Sequence, residues 1–233
     1  MTDRAPLRKV APMHEHVAPT AVQLIGAAGV VIWDFDGVIK ESVQVKTDAF
    51  AKLFGPFGDD VTGRVIAHHR SHGGLSRYEK VPLYLSWAGQ VADRATVERY
   101  CERFATLVVG GVIAAPWVPG VREYLSSNPN RQRFALVTAT PHDEMVAILI
   151  ALGIHGLFHR CYGAPCRKRE AVALTLAEEN TPATHAVVVG DSTTDLHAAE
   201  SNGVPFVLRR TAENANLPTS CRYLVLDDFR GLN

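Results

Sequence analysis

Short runs in which nearly every residue is apolar constrain the fold of this chain more than any other feature. Three such runs and two weaker candidates lie at residues 29–33, 134–138, 186–190, 204–208 and 223–226. Because such a run has no polar face, it is typical of a parallel strand that is buried on both sides of a sheet. Pro205 cannot donate a backbone hydrogen bond, which indicates an irregular start or an edge position for the fourth strand.

Helical patterns alternate with these runs. Thr140 and Pro141 have the residue types of an N-cap and a first helical position, which predicts a helix that runs to Gly153. Two more helices are predicted at residues 168–179 and 194–201. Strands that alternate with helices indicate a parallel sheet with helices on both faces. The predicted fold class is therefore α/β, with a Rossmann-like three-layer core.

The segment between the first two strands breaks this alternation. It contains helical patterns, such as the amphipathic stretch 93–109 before Gly110 and Gly111, and no good strand candidate. Roughly seventy residues are too many for a crossover helix, which typically needs about a dozen. We therefore predict an inserted all-helical cap domain. The predicted domains are an extension that is poorly ordered in part, a catalytic core in two pieces, and the cap, at residues 1–28, 29–42 with 116–233, and 43–115.

Composition excludes several classes of function. Lysine plus arginine and aspartate plus glutamate number 24 each in 233 residues, so the net charge gives no field that would recruit nucleic acid or an anionic membrane. The longest apolar stretch, 21–33, is too short for a membrane span of about 20 residues. The four cysteines form no CxxC pair, which fits a reducing compartment. We expect a cytoplasmic protein that binds neither nucleic acid nor membrane, either a monomer or a homodimer.

Two pairs of aspartates follow two of the predicted strands. Asp34 and Asp36 come after the first strand, and Asp191 and Asp195 come after the strand at 186–190. Because the carboxyl ends of parallel strands meet at one edge of a sheet, we expect these four carboxylates to lie together. Such a cluster repels itself unless a cation is bound, and oxygen ligands of this kind suit magnesium. The predicted cofactor is Mg²⁺, with all four aspartates in its site.

These segments, in their chain order, resemble the four motifs of the haloacid-dehalogenase superfamily. The first motif is residues 30–38 and contains Asp34 and Asp36, and the second is residues 136–138, ending in a hydroxyl. The third is Lys168, at the start of a predicted helix, and the fourth is residues 189–195. The resemblance spans about residues 29–209, which is nearly the whole chain after the extension.

The resemblance implies roles for the catalytic residues. Asp34 is expected to attack the phosphorus atom and form an aspartyl-phosphate, and Asp36 to act as general acid and then general base. Thr138 and Lys168 are expected to hold the oxygens of the transferred phosphoryl group. Arg167 is the alternative to Lys168, because basic residues flank that lysine on both sides.

The resemblance also implies how a metal is held. Magnesium is expected between Asp34, Asp191 and the backbone carbonyl of Asp36. For Asp195 two duties stay open, namely to orient a magnesium-bound water or to orient Lys168.

The superfamily includes dehalogenases, phosphatases, phosphomutases and ion-pumping ATPases, so the fold does not decide the activity. As the resemblance implies, an aspartate at position 36 points to phosphoester chemistry. We predict a magnesium-dependent phosphatase that acts on a small phosphorylated metabolite, a sugar or polyol phosphate. A phosphomutase of the β-phosphoglucomutase kind is the alternative, and a domain that only binds phosphorylated ligands is the non-enzymatic one.

A histidine-rich loop in the predicted cap offers candidates for substrate contact. His68, His69 and His72 form an HHxxH pattern, which could be a zinc site, a polar loop or a substrate contact, and we favour the last. Gly73 and Gly74 would let the backbone approach a ligand closely. The predicted substrate-binding residues combine this loop with positions next to the catalytic motifs, and they are Gly37, Ala139, His69, His72, Gly74, Arg77 and Lys80.

Overall fold

The computed structural model describes residues 20–215, 217 and 223–232 of the chain. Its centre is a six-stranded sheet in which all neighbouring strands are parallel, in the order β3-β2-β1-β4-β5-β6. The strands are β1 Val30–Trp33, β2 Arg133–Pro141, β3 Arg160–Ala164, β4 Ala186–Gly190, β5 Phe206–Arg209 and β6 Leu224–Leu226. The predicted α/β fold class is confirmed.

Helices connect the strands. In chain order, the α-helices are α1 Ala21–Ala27, α2 Val43–Phe54, α3 Asp59–Ser71, α4 Arg77–Trp87, α5 Arg94–Ala114, α6 Val121–Ser127, α7 His142–Ala151, α8 Lys168–Glu178 and α9 Thr193–Ser201. Short 3₁₀ turns lie at Gly55–Phe57, His155–Leu157, Ala183–His185 and Arg230–Leu232. In the described part of the chain, no helix combines the length and the apolar character that crossing a membrane requires.

The alternation of side chains along the strands builds a three-layer core. Val31 and Trp33 of β1 pack on one face of the sheet in the same apolar cluster as residues of α1, α6 and α7. Val30 and Ile32 pack on the other face, where α8 and α9 supply alanines and Val172. Because successive side chains of a strand point to opposite faces, one short apolar run serves both layers.

In the described structure, the segment between β1 and β2 has no strand and contains the helices α2 to α6, of which α2 to α5 lie in residues 43–114. Its interior is aromatic, with the rings of Phe50 and Phe104 4.1 Å apart and the ring of Tyr84 edge-on to Phe50 at 5.2 Å. The two connections to the sheet lie side by side, because Lys40 Nζ donates a hydrogen bond of 3.0 Å to the carbonyl of Ile113. We call residues 43–115 the cap, and this domain boundary is a proposal.

Two helix boundaries differ from the predictions. Strand β2 continues through Thr140 to Pro141, so Thr140 is a strand residue and not an N-cap, and α7 begins at His142. Helix α5 continues past Gly110 and Gly111 to Ala114. A Cβ atom on Gly111 would lie 2.7 Å from the side chain of Val45, so this glycine permits close packing of α5 on α2 and does not end the helix.

Strand β3 was missing from the predicted strands. It is an edge strand whose first three residues, Arg160, Cys161 and Tyr162, are only half-buried, so it lacks the apolar run that marks the central strands. Part of the predicted extension also belongs to the fold, because residues 21–27 form α1. Gln132 anchors this helix by donating to the carbonyls of Ile25 and Ala28. Residues 1–19 lie outside the described residues.

Candidate active site

The neighbouring strands β1 and β4 bring the first and fourth motifs together. Asp34 directly follows β1, and its backbone N–H donates to the carbonyl of Val189 in β4 at 2.9 Å. Asp191 directly follows β4, and Asp195 lies in the first turn of α9. One carboxylate oxygen of each of Asp34, Asp191 and Asp195 lies within 4.8 Å of the other two. The sheet topology therefore brings together three of the four carboxylates that the sequence predicts to cluster, and the Asp36 carboxylate is not one of them.

Gly37 makes the approach of the two motifs possible. Its φ is +75°, in the left-handed region that favours glycine, and a Cβ atom there would lie 2.2 Å from Asp191 Oδ2. Gly37 was a predicted substrate contact, and the structure places it behind the cluster, against Asp191. No other residue fits at this position without moving that carboxylate.

Lys168 lies between two of the carboxylates. Its Nζ donates to Asp34 Oδ2 at 2.8 Å and to Asp195 Oδ1 at 2.6 Å, and all three side chains are buried. Burial would lower the pKa of Lys168, but the Asp195 and Asp34 carboxylates outweigh it and raise the pKa above its usual value. The alternative, Arg167, is the N-cap residue of α8 and lines an adjacent depression instead.

Asp195 contacts Lys168, which is one of the two duties predicted for it. Its other oxygen, Oδ2, accepts hydrogen bonds from the backbone N–H and the hydroxyl of Ser192, closing a capping box at the start of α9. Both oxygens are therefore fixed by the protein. This arrangement holds the Lys168 ammonium in one position against Asp34.

The cluster carries more negative than positive charge. Burial and the neighbouring Asp195 carboxylate raise the pKa of Asp34 to about 7, although Lys168 opposes this. Desolvation and the Asp34 carboxylate raise the pKa of Asp191 well above its usual value. Among the residues that the structure describes, no lysine, arginine or histidine forms an ion pair with Asp191. The edge of the cluster at Asp34 and Asp191 is where a cation would stabilise the ionised state.

Asp36 has a set of partners that the sequence analysis missed. Its carboxylate forms an ion pair with Lys46 of α2 and accepts a hydrogen bond of 2.6 Å from Ser42. Lys46 Nζ also donates to Thr140 Oγ1 at 2.8 Å. Burial would raise the pKa of Asp36, but Lys46 and Ser42 hold it below its usual value. Lys46 lies in a helix of mixed polarity and carried no sequence signal, and Thr140 was predicted as an N-cap and not as a site residue.

A cavity lies between the cap and the carboxyl edge of the sheet, lined by residues of both. Thr138 and Ala139 at the end of β2 line it from the core, and Thr138 is buried. The cap touches the core here, because a Cβ atom on Gly74 would lie 1.6 Å from Thr194 Oγ1 and 2.7 Å from Ser192 Oγ. The loop that contains Gly73 and Gly74 therefore lies directly against the fourth motif, residues 189–195.

The predicted cap residues separate into two groups. His69, Gly74, Arg77 and Lys80 line the cavity together with Asp34 and Asp36. The Arg77 guanidinium already binds both carboxylate oxygens of Glu144 in α7, so it joins the cap to the core. This ion pair joins α4 and α7, which are far apart in the chain, so no local sequence pattern predicts it.

His72 lies outside the cavity. It is exposed, and its ring stacks on that of His68 with the centroids 4.1 Å apart. His68 Nδ1 in turn lies 3.0 Å from the hydroxyl of Tyr84. Among the described residues, the carboxylate cluster alone brings three metal-ligand side chains together, and the histidines form no such group.

The comparisons with known proteins agree with this geometry. The family model of the haloacid dehalogenase-like hydrolases matches residues 31–208, which is well over half of the chain. The chain belongs to the haloacid dehalogenase-like hydrolase family, and the predictions of the family and of a hydrolytic enzyme are confirmed.

Individual relatives are more distant. Phosphoglycolate phosphatase from Pseudomonas fluorescens is 26% identical, over 87% of this chain and 77% of that protein. The structure of CbbY from Rhodobacter sphaeroides in complex with phosphate has a TM-score of 0.67 at 21% identity, covering 88% of this chain and 96% of the other. β-Phosphoglucomutase from Clostridium difficile has a TM-score of 0.71 at 20% identity, covering 88% and 93%. At these identities, the structural likenesses show the fold.

Proposed function

We propose that this protein is a magnesium-dependent phosphatase that hydrolyses a small phosphomonoester through an aspartyl-phosphate on Asp34. The observation that carries the proposal is the position of Asp34. Its buried carboxylate follows the central strand β1, bonds to Lys168 at 2.8 Å and lies within 4.8 Å of a carboxylate oxygen of Asp191. A carboxylate held beside a fixed ammonium and a cation site is suited to attack an anionic phosphoryl group, because both neighbours reduce the repulsion between them.

The donor set fits a magnesium ion. Asp34 and Asp191 supply carboxylate oxygens without a full complement of positive partners, and the backbone carbonyl of Asp36 is proposed as a third ligand. When bound, the metal ion would neutralise charge on the phosphoryl oxygens and align them with the nucleophile. Asp195 is proposed to act on this site through Lys168, because both of its oxygens already have protein partners.

The chain's own residues perform the remaining tasks. Asp34 is proposed to attack the phosphorus atom in line with the leaving oxygen, while Lys168 and the Thr138 hydroxyl stabilise the charge on the phosphoryl oxygens. Asp36 is proposed to protonate the leaving oxygen and then to take a proton from the water that hydrolyses the intermediate. Lys46 and Ser42 hold the Asp36 carboxylate at the cavity wall and keep its pKa below the usual value, so Asp36 has to take up a proton as substrate binds before it can protonate the leaving oxygen.

The cap is proposed to exclude water and to select the leaving group. The contact of Gly74 with the fourth motif and the ion pair between Arg77 and Glu144 hold the cap against the core. A small substrate, such as a sugar or polyol phosphate, would fill the cavity beneath it. The curated relatives are named for phosphoglycolate, and another neighbouring structure holds xylulose-(1,5)bisphosphate, which supports a small phosphorylated metabolite.

Phosphate release from a panel of substrates tests this function. We expect the protein with Mg²⁺ to release phosphate from at least one of phosphoglycolate, pentose phosphates and polyol phosphates, because the cavity and its carboxylates suit small monoesters. Hexose-1-phosphate isomerisation in the presence of a bisphosphate activator separates the phosphomutase alternative. Isomerisation that outpaces phosphate release on every substrate would contradict the phosphatase proposal and favour the mutase.

A further inference from the structure

The cations that line the cavity differ in whether a carboxylate already neutralises them. Lys46 is paired with Asp36, and Arg77 with Glu144. Lys168 is paired with both Asp34 and Asp195. Lys80 is the fourth lysine or arginine among the described lining residues, and no carboxylate oxygen of the described chain lies within 4.0 Å of its Nζ. One positive charge at the cavity wall is therefore left without a negative partner.

The ammonium of Lys80 is fixed in position and enclosed. The side chain is 1% exposed, and its Nζ donates to His69 Nδ1 at 2.9 Å and to the carbonyl of Gly73 at 3.5 Å. The same ammonium lies 6.0 Å from the ring centre of Phe50. A buried ammonium is strongly destabilised without a negative partner, so the protein retains it here against its own stability.

His69 adds a second unsatisfied group at the same wall. Burial and the Lys80 ammonium lower the pKa of His69 to about 2, so the imidazole is neutral at pH 7. Because Nδ1 accepts from Lys80, the ring proton is on Nε2, which is a donor. Nε2 is buried and has no hydrogen-bond partner in the described structure. The Lys80 ammonium and the His69 N–H are thus two neighbouring hydrogen-bond donors that can both bind an anionic oxygen.

We propose that Lys80 and His69 form an anion subsite that binds a second acidic group of the substrate, at the end remote from the phosphoryl group attacked by Asp34. The inference rests on the proposed phosphatase function and narrows its substrate to phosphomonoesters that carry a carboxylate or a second phosphate. Lys80 also serves as a specificity determinant, because a substrate with a neutral end leaves the buried ammonium unpaired.

Matched substrate pairs test the subsite. Phosphoglycolate is compared with hydroxyethyl phosphate, and propanediol bisphosphate with hydroxypropyl phosphate, so that each pair differs in the remote group. We expect kcat/KM to be higher for the acidic member of at least one pair, and the pair with the larger ratio identifies carboxylate or phosphate as the ligand. In Lys80→Met this preference should fall on the order of 100-fold, since a charge-assisted hydrogen bond is lost.

Two variants control for indirect effects. Lys52→Met makes the same change at an exposed position of α2 that does not line the cavity, and it should leave the preference unchanged. Lys80→Arg retains the charge and should keep part of the preference. Because the Lys80 ammonium has no carboxylate partner, Lys80→Met is expected to fold and to melt no lower than the wild type.

The pH dependence gives a readout that needs no mutation. Burial and the ammonium groups of Lys46 and Lys168 lower the pKa of Lys80 to about 7. Lys80 is charged below this pH and neutral above it, so kcat/KM for the acidic substrates should fall as pH rises through about 7, relative to their neutral partners. The charged or titratable groups that act on Lys80 are Asp36, Lys46, His68, His69, Glu79 and Lys168.

The outcomes separate the subsite from the general function. Equal losses on both members of each pair in Lys80→Met, or a wild type without preference, would overturn the subsite and leave the phosphatase intact. If no phosphoester is hydrolysed, the phosphatase proposal fails. The subsite is then tested by ligand binding, measured by isothermal titration calorimetry. Asp34→Asn should then bind phosphoglycolate or propanediol bisphosphate, and Asp34→Asn with Lys80→Met should bind it at least tenfold more weakly. Equal affinities would refute the subsite.

Discussion

Asp34→Asn is expected to lower magnesium-dependent phosphate release by roughly 10⁴-fold or more, because a neutral amide cannot attack phosphorus. The substitution changes few atoms and keeps the shape of the side chain. It also removes a carboxylate whose pKa is raised to about 7 by burial and by Asp195. A carboxylate with a raised pKa destabilises the fold above its unfolded pKa, so the variant should melt no lower than the metal-free wild type.

The measurement is steady-state phosphate release with the preferred substrate, with mass spectrometry to exclude deamidation of the introduced asparagine back to aspartate. Asp48→Asn is the matched control, since Asp48 is exposed on α2 and bonds only to Gln44 in the described contacts. It should retain wild-type activity. Activity of Asp34→Asn within tenfold of the wild type would remove Asp34 from the role of nucleophile.

Removal of divalent cations is expected to lower phosphate release by roughly 10³-fold or more, because charge neutralisation by a metal ion contributes several kcal/mol to such reactions. The carboxylates of Asp34 and Asp191 lie within 4.8 Å of each other, and Asp191 has no cationic partner among the described residues. Magnesium should restore activity. Calcium should inhibit, because its longer bonds and larger ligand number disturb the in-line geometry.

The assay is phosphate release after chelation, followed by titration with each metal. Asp191→Asn should need a higher magnesium concentration for half-maximal activity, since it weakens one ligand and leaves the nucleophile in place. Asp48→Asn serves again as the unaffected control. Full activity in excess chelator would contradict the metal assignment, and with it the proposed role of Asp191.

The sequence predicted the central strands well, because a strand that is buried on both faces of a sheet consists almost entirely of apolar residues. Strands β1 and β4 contain no charged residue, and the aspartates that follow them reach one edge for purely topological reasons. Strand β3 escaped detection because an edge strand is half-exposed and tolerates Arg160. The long α5 was cut short because a glycine pair resembles a helix end, whereas Gly111 is needed for contact with Val45.

The partners of the site residues were less predictable. The position of Lys168 in the order of the motifs predicted that it would lie near Asp34. The contact between Lys46 and Asp36 depends on how α2 packs over the first motif, so only the structure shows it. The pairing of Arg77 with Glu144 joins residues of different segments, so no local spacing announces it. A sequence pattern shows which side chains are available, and the tertiary fold decides which of them meet.

The cap histidines illustrate the same limit. His69 and His72 are three residues apart in the segment that the sequence analysis treats as a loop, and the sequence offered no reason to prefer one of them. In the structure His69 is buried at the cavity wall, while His72 is exposed and stacked on His68. The helical phase of α3, with Val65 and His69 on its buried side, separates the two.

Chemical trapping of the intermediate tests the central claim most directly. Borohydride reduces an acyl phosphate but leaves a free carboxylate intact, so acid quenching during turnover and reduction should convert phosphorylated Asp34 to homoserine. We predict homoserine at this position, detected by peptide mass spectrometry, in the wild type with Mg²⁺ and its preferred substrate, and none without substrate. Phosphate release with Asp34 always unmodified, or homoserine at another aspartate, would contradict the account.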